Sequence, residues 1–261
     1  MYYRHTDKIG FNKFKPYKMK TRSIIRIAFL AVLTVMAYAC ENSWSCLRGN
    51  GIPGEETRII SGFNGVVSEG DFDVFIVPDP DFAVKLEADE NLIQYIRTRV
   101  SGNKLILDQG TRKCLRSDSP IMITVYMPEV AYLELTGSGI ISGDNIEADE
   151  LTVHLTGSGL IDLRELKAGL LDALITGSGE MIFWGETIDA DLDITGSGMI
   201  RAFNLESFNC IANISGSGSM EIKVENQLTA YISGSGNIYY QGNPPSVSVK
   251  VTGSGAVIPT N

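Results

Sequence analysis

The sequence predicts an all-β chain wound into a parallel β-helix, and two observations carry that prediction. A tetrapeptide, Thr/Ser-Gly-Ser-Gly, begins at Thr136, Thr156, Thr176, Thr195, Ser215, Ser233 and Thr252, with spacings of 20, 20, 19, 20, 18 and 19. A repeat near 20 residues marks a solenoid. The second observation is alternation ahead of each tetrapeptide. One residue before it stand Leu135, Leu155, Ile175, Ile194, Ile214, Ile232 and Val251. Three before stand Leu133, Val153, Ala173, Leu192, Ala212, Ala230 and Val249, and five before stand Ala131, Leu151, Leu171, Ala190, Cys210, Leu228 and Val247. The residues between them are mixed, as in Glu134, His154, Leu174, Asp193, Asn213, Tyr231 and Lys250. Period-two alternation is a strand with one buried face.

Each turn then follows. The corners fall at Gly137, Gly139, Gly157, Gly159, Gly177, Gly179, Gly196, Gly198, Gly216, Gly218, Gly234, Gly236, Gly253 and Gly255. Glycine tolerates the positive φ a sharp bend needs, and the stacked Thr and Ser hydroxyls are placed to bond along the axis. Past the corner comes an apolar position at Ile141, Ile161, Met181, Ile200, Met220, Ile238 and Val257. Another falls mid-repeat at Ile146, Leu166, Ile188, Leu205 and Val224, which gives three short sides per turn. Six to seven such turns of 18–20 residues bury a core only by stacking in parallel, and parallel crossovers favour the right hand. Residues 131–258 form this β-helix.

The remaining segments read in chain order. Residues 1–39 form a signal segment: Arg22 and Arg26 precede the apolar run Ile27–Ala39, which is short of the roughly 20 residues a membrane span needs. Met19 is an alternative start, which would leave 1–18 outside the protein. Two cleavages fit. Ala37-Tyr38-Ala39 suits ordinary signal peptidase, while Cys40 directly after Ala39 resembles a bacterial lipobox, in which that cysteine is acylated. Residues 40–46 are a tether. Residues 47–130 form a β-rich N-terminal cap, with strands at 72–77, 83–86, 104–107 and 121–126 and a short helix from Asp89 to Ile96 capped by Asp89. Pro244, Pro245 and Pro259 are placed to close the other end. Export makes a disulfide between Cys46 and Cys114 plausible, whereas Cys210 occupies an inward column and reads as a small core residue.

Charge narrows the function. Residues 40–261 carry 14 basic and 30 acidic side chains, a net of −16, which repels phosphate backbones and excludes nucleic acid as a partner. The chain has two histidines, His5 and His154. No cofactor-binding pattern is present: no Lys follows the Gly-x-Gly corners, as a phosphate loop would require.

Four stretches carry a family resemblance. They are Cys46-Leu47-Arg48-Gly49-Asn50-Gly51, Gly70-Asp71-Phe72-Asp73-Val74, Glu87-Ala88-Asp89-Glu90-Asn91-Leu92 and the repeated Thr-Gly-Ser-Gly. Together they resemble the "putative auto-transporter adhesin, head GIN domain" family over roughly residues 46–258. The resemblance implies an exported, β-helical protein with no catalytic residues to carry over. It implies adhesion loosely, through likeness to adhesin passenger folds.

Three functions are in contention. The first is a non-catalytic, adhesin-like module binding glycan or matrix protein, held in the cell envelope as an outer-membrane lipoprotein or released as a secreted or periplasmic protein. Its candidate contacts are Trp184, Phe203, Tyr231 and Tyr239, for which packing under loops is the alternative. The second is a periplasm-facing structural or envelope-stress component. The third is a polysaccharide-active enzyme or a cation site built on Asp172, Asp189, Asp191 and Asp193. These carboxylates share an outward face; a solvated acidic surface is the simpler account of them.

Overall fold

Alternating columns specify which residues must lie above one another, and the computed structural model, which describes residues 46–111 and 113–260, stacks them in that register. The predicted leader and Cys40 lie outside the described residues. The chain is nearly all β, with about six solenoid turns of parallel stacked coils.

The described chain begins away from the stack. Strand β1 (Leu47–Arg48) and β8 (Leu115–Arg116) form a small parallel pair beside a Cys46–Cys114 disulfide. Then come β2 (Pro53–Arg58), β3 (Gly65–Glu69), β4 (Asp73–Pro78), β5 (Ala83–Asp89), helix α1 (Glu90–Ile93), β6 (Ile96–Ser101), β7 (Lys104–Gln109) and β9 (Met122–Met127). The solenoid takes in part of this region: the parallel stack starts well before residue 131. β3 and β4 lie parallel beneath the first repeat strands, β10 (Tyr132–Gly137) and β11 (Ile140–Asp144). β7 and β9 lie parallel beneath β3 and β4 in turn. Repeat spacing could not show these coils, because Glu69-Gly70-Asp71-Phe72 stands where the later corners have Thr-Gly-Ser-Gly. Phe72 is fully buried under the first repeat corner, and its carbonyl accepts from the Ile140 N–H at 2.9 Å.

The true cap is smaller. β5 runs antiparallel to β2 and β9, and β6 runs antiparallel to β7, so β2, β5, β6 and α1 form the lower end and break its parallel order. Helix α1 is shorter than the expected 89–96, and Asp89 makes no side-chain cap bond to it. The buried Asp89 carboxylate instead accepts from the Ser117 hydroxyl at 2.7 Å. A Cβ at Gly49 would sit 1.5 Å from that carboxylate, so a side chain there would have to displace the buried Asp89 from Ser117. Asn91 Nδ2 donates to the Arg48 carbonyl at 2.8 Å and the Asn50 N–H donates to Asn91 Oδ1 at 3.0 Å. The segments around Gly49-Asn50 and Asp89-Glu90-Asn91, distant in sequence, are thus two halves of one clasp.

Above β11 the chain runs as long strands that bend around the solenoid: β12 (Glu147–Gly157), β13 (Leu160–Gly177), β14 (Glu180–Gly196), β15 (Met199–Gly216) and β16 (Ser219–Gly234). The last turn is split into β17 (Asn237–Gln241), β18 (Ser246–Gly253) and β19 (Ala256–Pro259). From Leu133 to Ile232 the two inward columns nearest the corner are buried in every turn, and so are Ile141 to Ile238 past the corner. Three differences from the sequence expectation have physical reasons. Ile188 is 59% exposed: Gly185 takes the register position of Leu166 and Leu205, and the inward residue is Thr187, whose hydroxyl donates to the Asp189 carbonyl. Val247, Val249 and Val251 belong to inward columns yet are exposed, because no described segment lies over β18. For the same reason the three prolines do not close that end.

The third difference concerns the corner. Only its first glycine has positive φ, from 121° at Gly157 to 134° at Gly234. The second is required by space instead: a Cβ at Gly179 would lie 2.5 Å from Leu155 Cδ2 of the turn below. Adhesion between corners comes from the backbone rather than from stacked hydroxyls, with the Ser178 N–H donating to the Gly157 carbonyl at 2.9 Å and the Ser197 N–H to that of Gly177 at 2.8 Å.

Candidate binding face

The strands that lead into the corners present two outward columns, and register decides who meets whom there. One column runs Tyr132, Thr152, Asp172, Asp191, Ile211, Thr229, Ser248. The other runs Glu134, His154, Leu174, Asp193, Asn213, Tyr231, Lys250. Each strand below β18 is hydrogen-bonded on both edges, so this approach face is flat and stiff.

Its lower end holds a cluster that sequence reading missed. The Tyr132 hydroxyl donates to Glu134 at 2.6 Å and lies 3.2 Å from His154 Nδ1, while Lys104 Nζ sits 3.0 Å above the Tyr132 ring. Burial first, then the bond to Glu134, pushes the Tyr132 phenol well above its ordinary range. Tyr132, Glu134 and His154 share the outward columns and were findable by reading the register; Lys104 comes from β7, below the repeats, and was not.

The middle is acidic. Asp172 and Asp191 are register partners, and Asp193 is next but one along β14. Burial first, then Asp193 and Asp172, raises the Asp191 carboxyl; burial first also raises Asp193, partly offset by its bond with Asn213. Asp191 Oδ1 is buried without a hydrogen-bond partner. Asp189 accepts from Asn209 Nδ2 at 2.9 Å and lines an open cleft of about 370 Å³ with Asp191. Among the described residues no group of three or more His, Cys, Asp or Glu side chains is arranged to hold a metal ion.

A carboxyl whose folded pKa is raised binds protons more tightly in the native state, so its burden on stability is present at neutral pH and is relieved as pH falls through the raised value. Asp191→Asn is therefore expected to raise the melting temperature at pH 7. The gain should shrink on acidification and be gone below the ordinary carboxylate value of 3.8. Thermal melts of both proteins across that range check it, and a difference independent of pH would sink the assignment.

The upper end carries Tyr231, 45% exposed, at an open cleft of about 360 Å³ that also takes in Asp193, Asn213, Ser233 and Lys250. The other aromatic candidates lie elsewhere. Trp184 stands past the corner-departing strand with the Arg164 guanidinium 5.5 Å from its ring. Phe203 is part-buried beside a register shift between Ala202 and Glu206, and Tyr239 pairs with Glu221 and Ile258 on the departing side. Only Tyr231 of the four joins the carboxylates. Beneath the face, burial pushes the Cys210 thiol up to about 12, so it stays protonated at neutral pH and is a core residue.

Fold and face together define a capped parallel β-solenoid with a polar, tyrosine-bearing flank. The chain belongs to the family described as "Putative auto-transporter adhesin, head GIN domain", whose match spans residues 62–244. Its fold is shared by a putative adhesin from Bacteroides fragilis, at 22% identity and TM-score 0.78, with 82% of this chain and 100% of that one covered. A putative adhesin from Parabacteroides merdae matches at 24% identity and TM-score 0.67, covering 82% and 99%. A protein from Parabacteroides distasonis described as a putative lipid binding protein matches at 23% and TM-score 0.68, covering 83% and 100%. No curated protein matches the chain.

Proposed function

We propose that the chain is a non-catalytic, adhesin-like binding module of the cell envelope, held to a membrane through acylated Cys40 and engaging glycan or matrix protein with its approach face. The observation that carries this reading is the face itself: a rigid strand ladder bearing Tyr231, Asn213, Asp193 and Lys250 around an open cleft. Aromatic rings beside planar hydrogen-bonding groups suit extended polar ligands, and a stiff scaffold spares the ordering cost of binding. Family membership supports the reading. The acidity of the mature chain favours neutral or basic ligands over sulfated ones.

Two measurements test it. Protease shaving of intact cells is expected to digest the chain while a periplasmic control survives. Protection of both would replace adhesion with a periplasm-facing structural role. On a panel of immobilised glycans and matrix proteins, Tyr231→Ala is expected to weaken capture about tenfold, as loss of an aromatic anchor does. Undiminished capture by the variant would move the site off this face.

A further inference from the structure

The two ends of the stack are unlike. The reversed strands β5 and β6 interrupt the parallel order at the lower end, whereas at the upper end β18 continues it and is exposed along all eight residues. Val247, Val249 and Val251 are 44%, 48% and 38% exposed, although the residues below them, Leu228, Ala230 and Ile232, are buried. β18 pairs with β16 on one side only, so its other edge presents unpaired N–H and C=O groups beside an apolar row. Such an edge is a template for another strand. The neighbouring edge, β19, is four residues long and ends in Pro259, which has no N–H to give. At the upper end the strand available for pairing is β18.

We propose that β18 pairs antiparallel with β18 of a second copy of this chain, so that each solenoid closes the open end of the other across a two-fold axis. Three features select a second copy. The first is register. Pairing centred on Val249 sets Val249 against Val249 and Val247 against Val251, with Lys250 against Ser248 and Ser246 against Thr252. Every inward residue then meets an inward valine, and neither lysine meets its twin. The second is charge: residues 246–260 carry Lys250 alone, in a chain whose residues 40–261 have a net charge of −16. The upper end is therefore where two copies meet without crowding carboxylates. The third is closure. A head-to-tail stack would set β18 on β6, the lowest strand of the same face, which runs reversed and carries Arg97 and Arg99, whereas a two-fold pairing of β18 is self-complementary and stops at two.

The test uses the full chain in mild detergent. Detergent-corrected light scattering is expected to give the mass of two chains. Val249→Asp, at an exposed position, is expected to give the mass of one chain with the β circular dichroism spectrum retained, its dimer dissociation constant raised at least about tenfold. Val249→Cys is expected to form an inter-chain disulfide on oxidation, whereas Val247→Cys alone is not, since position 247 faces 251. A single-chain mass for the unaltered protein, a ladder of larger assemblies, or equal cross-linking at 247 and 249 would each overturn the proposal.

Discussion

Gly216→Ala is expected to destabilise the chain by about 3 kcal/mol or more, one of the largest effects a single methyl group can have here. The residue has φ of 133°, where a side chain is strained, and the added Cβ would stand 2.2 Å from the Gly196 carbonyl of the turn below. That carbonyl accepts from the Ser217 N–H at 2.8 Å, so relieving the clash breaks the bond that joins the two corners. Neither cost can be shed separately. Ser217→Ala, exposed on the same corner, serves as the control and is expected to change stability by less than about 0.5 kcal/mol. Denaturant midpoints for the pair decide the matter; equal midpoints would mean the corner is not under steric control.

Loss of the Cys46–Cys114 disulfide is the second large effect. It closes a loop with a sequence separation of 68, and the chain-entropy relation for a loop of that size gives about 4 kcal/mol. The double variant Cys46→Ser, Cys114→Ser is expected to lose most of that. The loss should concentrate in the cap, where the bridge holds β1 against β8 and brings Gly49 over Asp89. Hydrogen exchange would show β5 and α1 losing protection before the repeat strands. Uniform loss across the repeats would instead mean that cap and solenoid unfold as one unit.

The repeat was legible because a solenoid turns position in sequence directly into position in space. A spacing of 18 to 20 between tetrapeptides is the register itself, so the pairing of Asp172 with Asp191 follows from counting residues alone. Where the spacing is irregular, reading failed. At Ile188 the bend is taken by Gly185 and a buried hydroxyl at Thr187, and hydropathy alone ranks an isoleucine above both. The lower coils were hidden because β3 and β7 bear no corner tetrapeptide and are joined by antiparallel detours. The binding face was half visible. Its columns could be written out from the sequence, but the cation over Tyr132 comes from a strand 28 residues upstream of that ring, and no periodicity links them.

The route of the chain through the lower coils has a consequence for how the protein is made. β3 and β4 are laid down first, β7 and β9 pass beneath them, and only then does β10 settle on top of β3. From that point every new strand finds its template already in place, in the order in which residues leave a ribosome or a translocation channel. Assembly therefore proceeds as vectorial zippering from a finished foundation, with each coil needing only its predecessor. Gain or loss of a whole repeat by recombination would lengthen or shorten the rod without disturbing its base, leaving reach as the property most easily altered by descent.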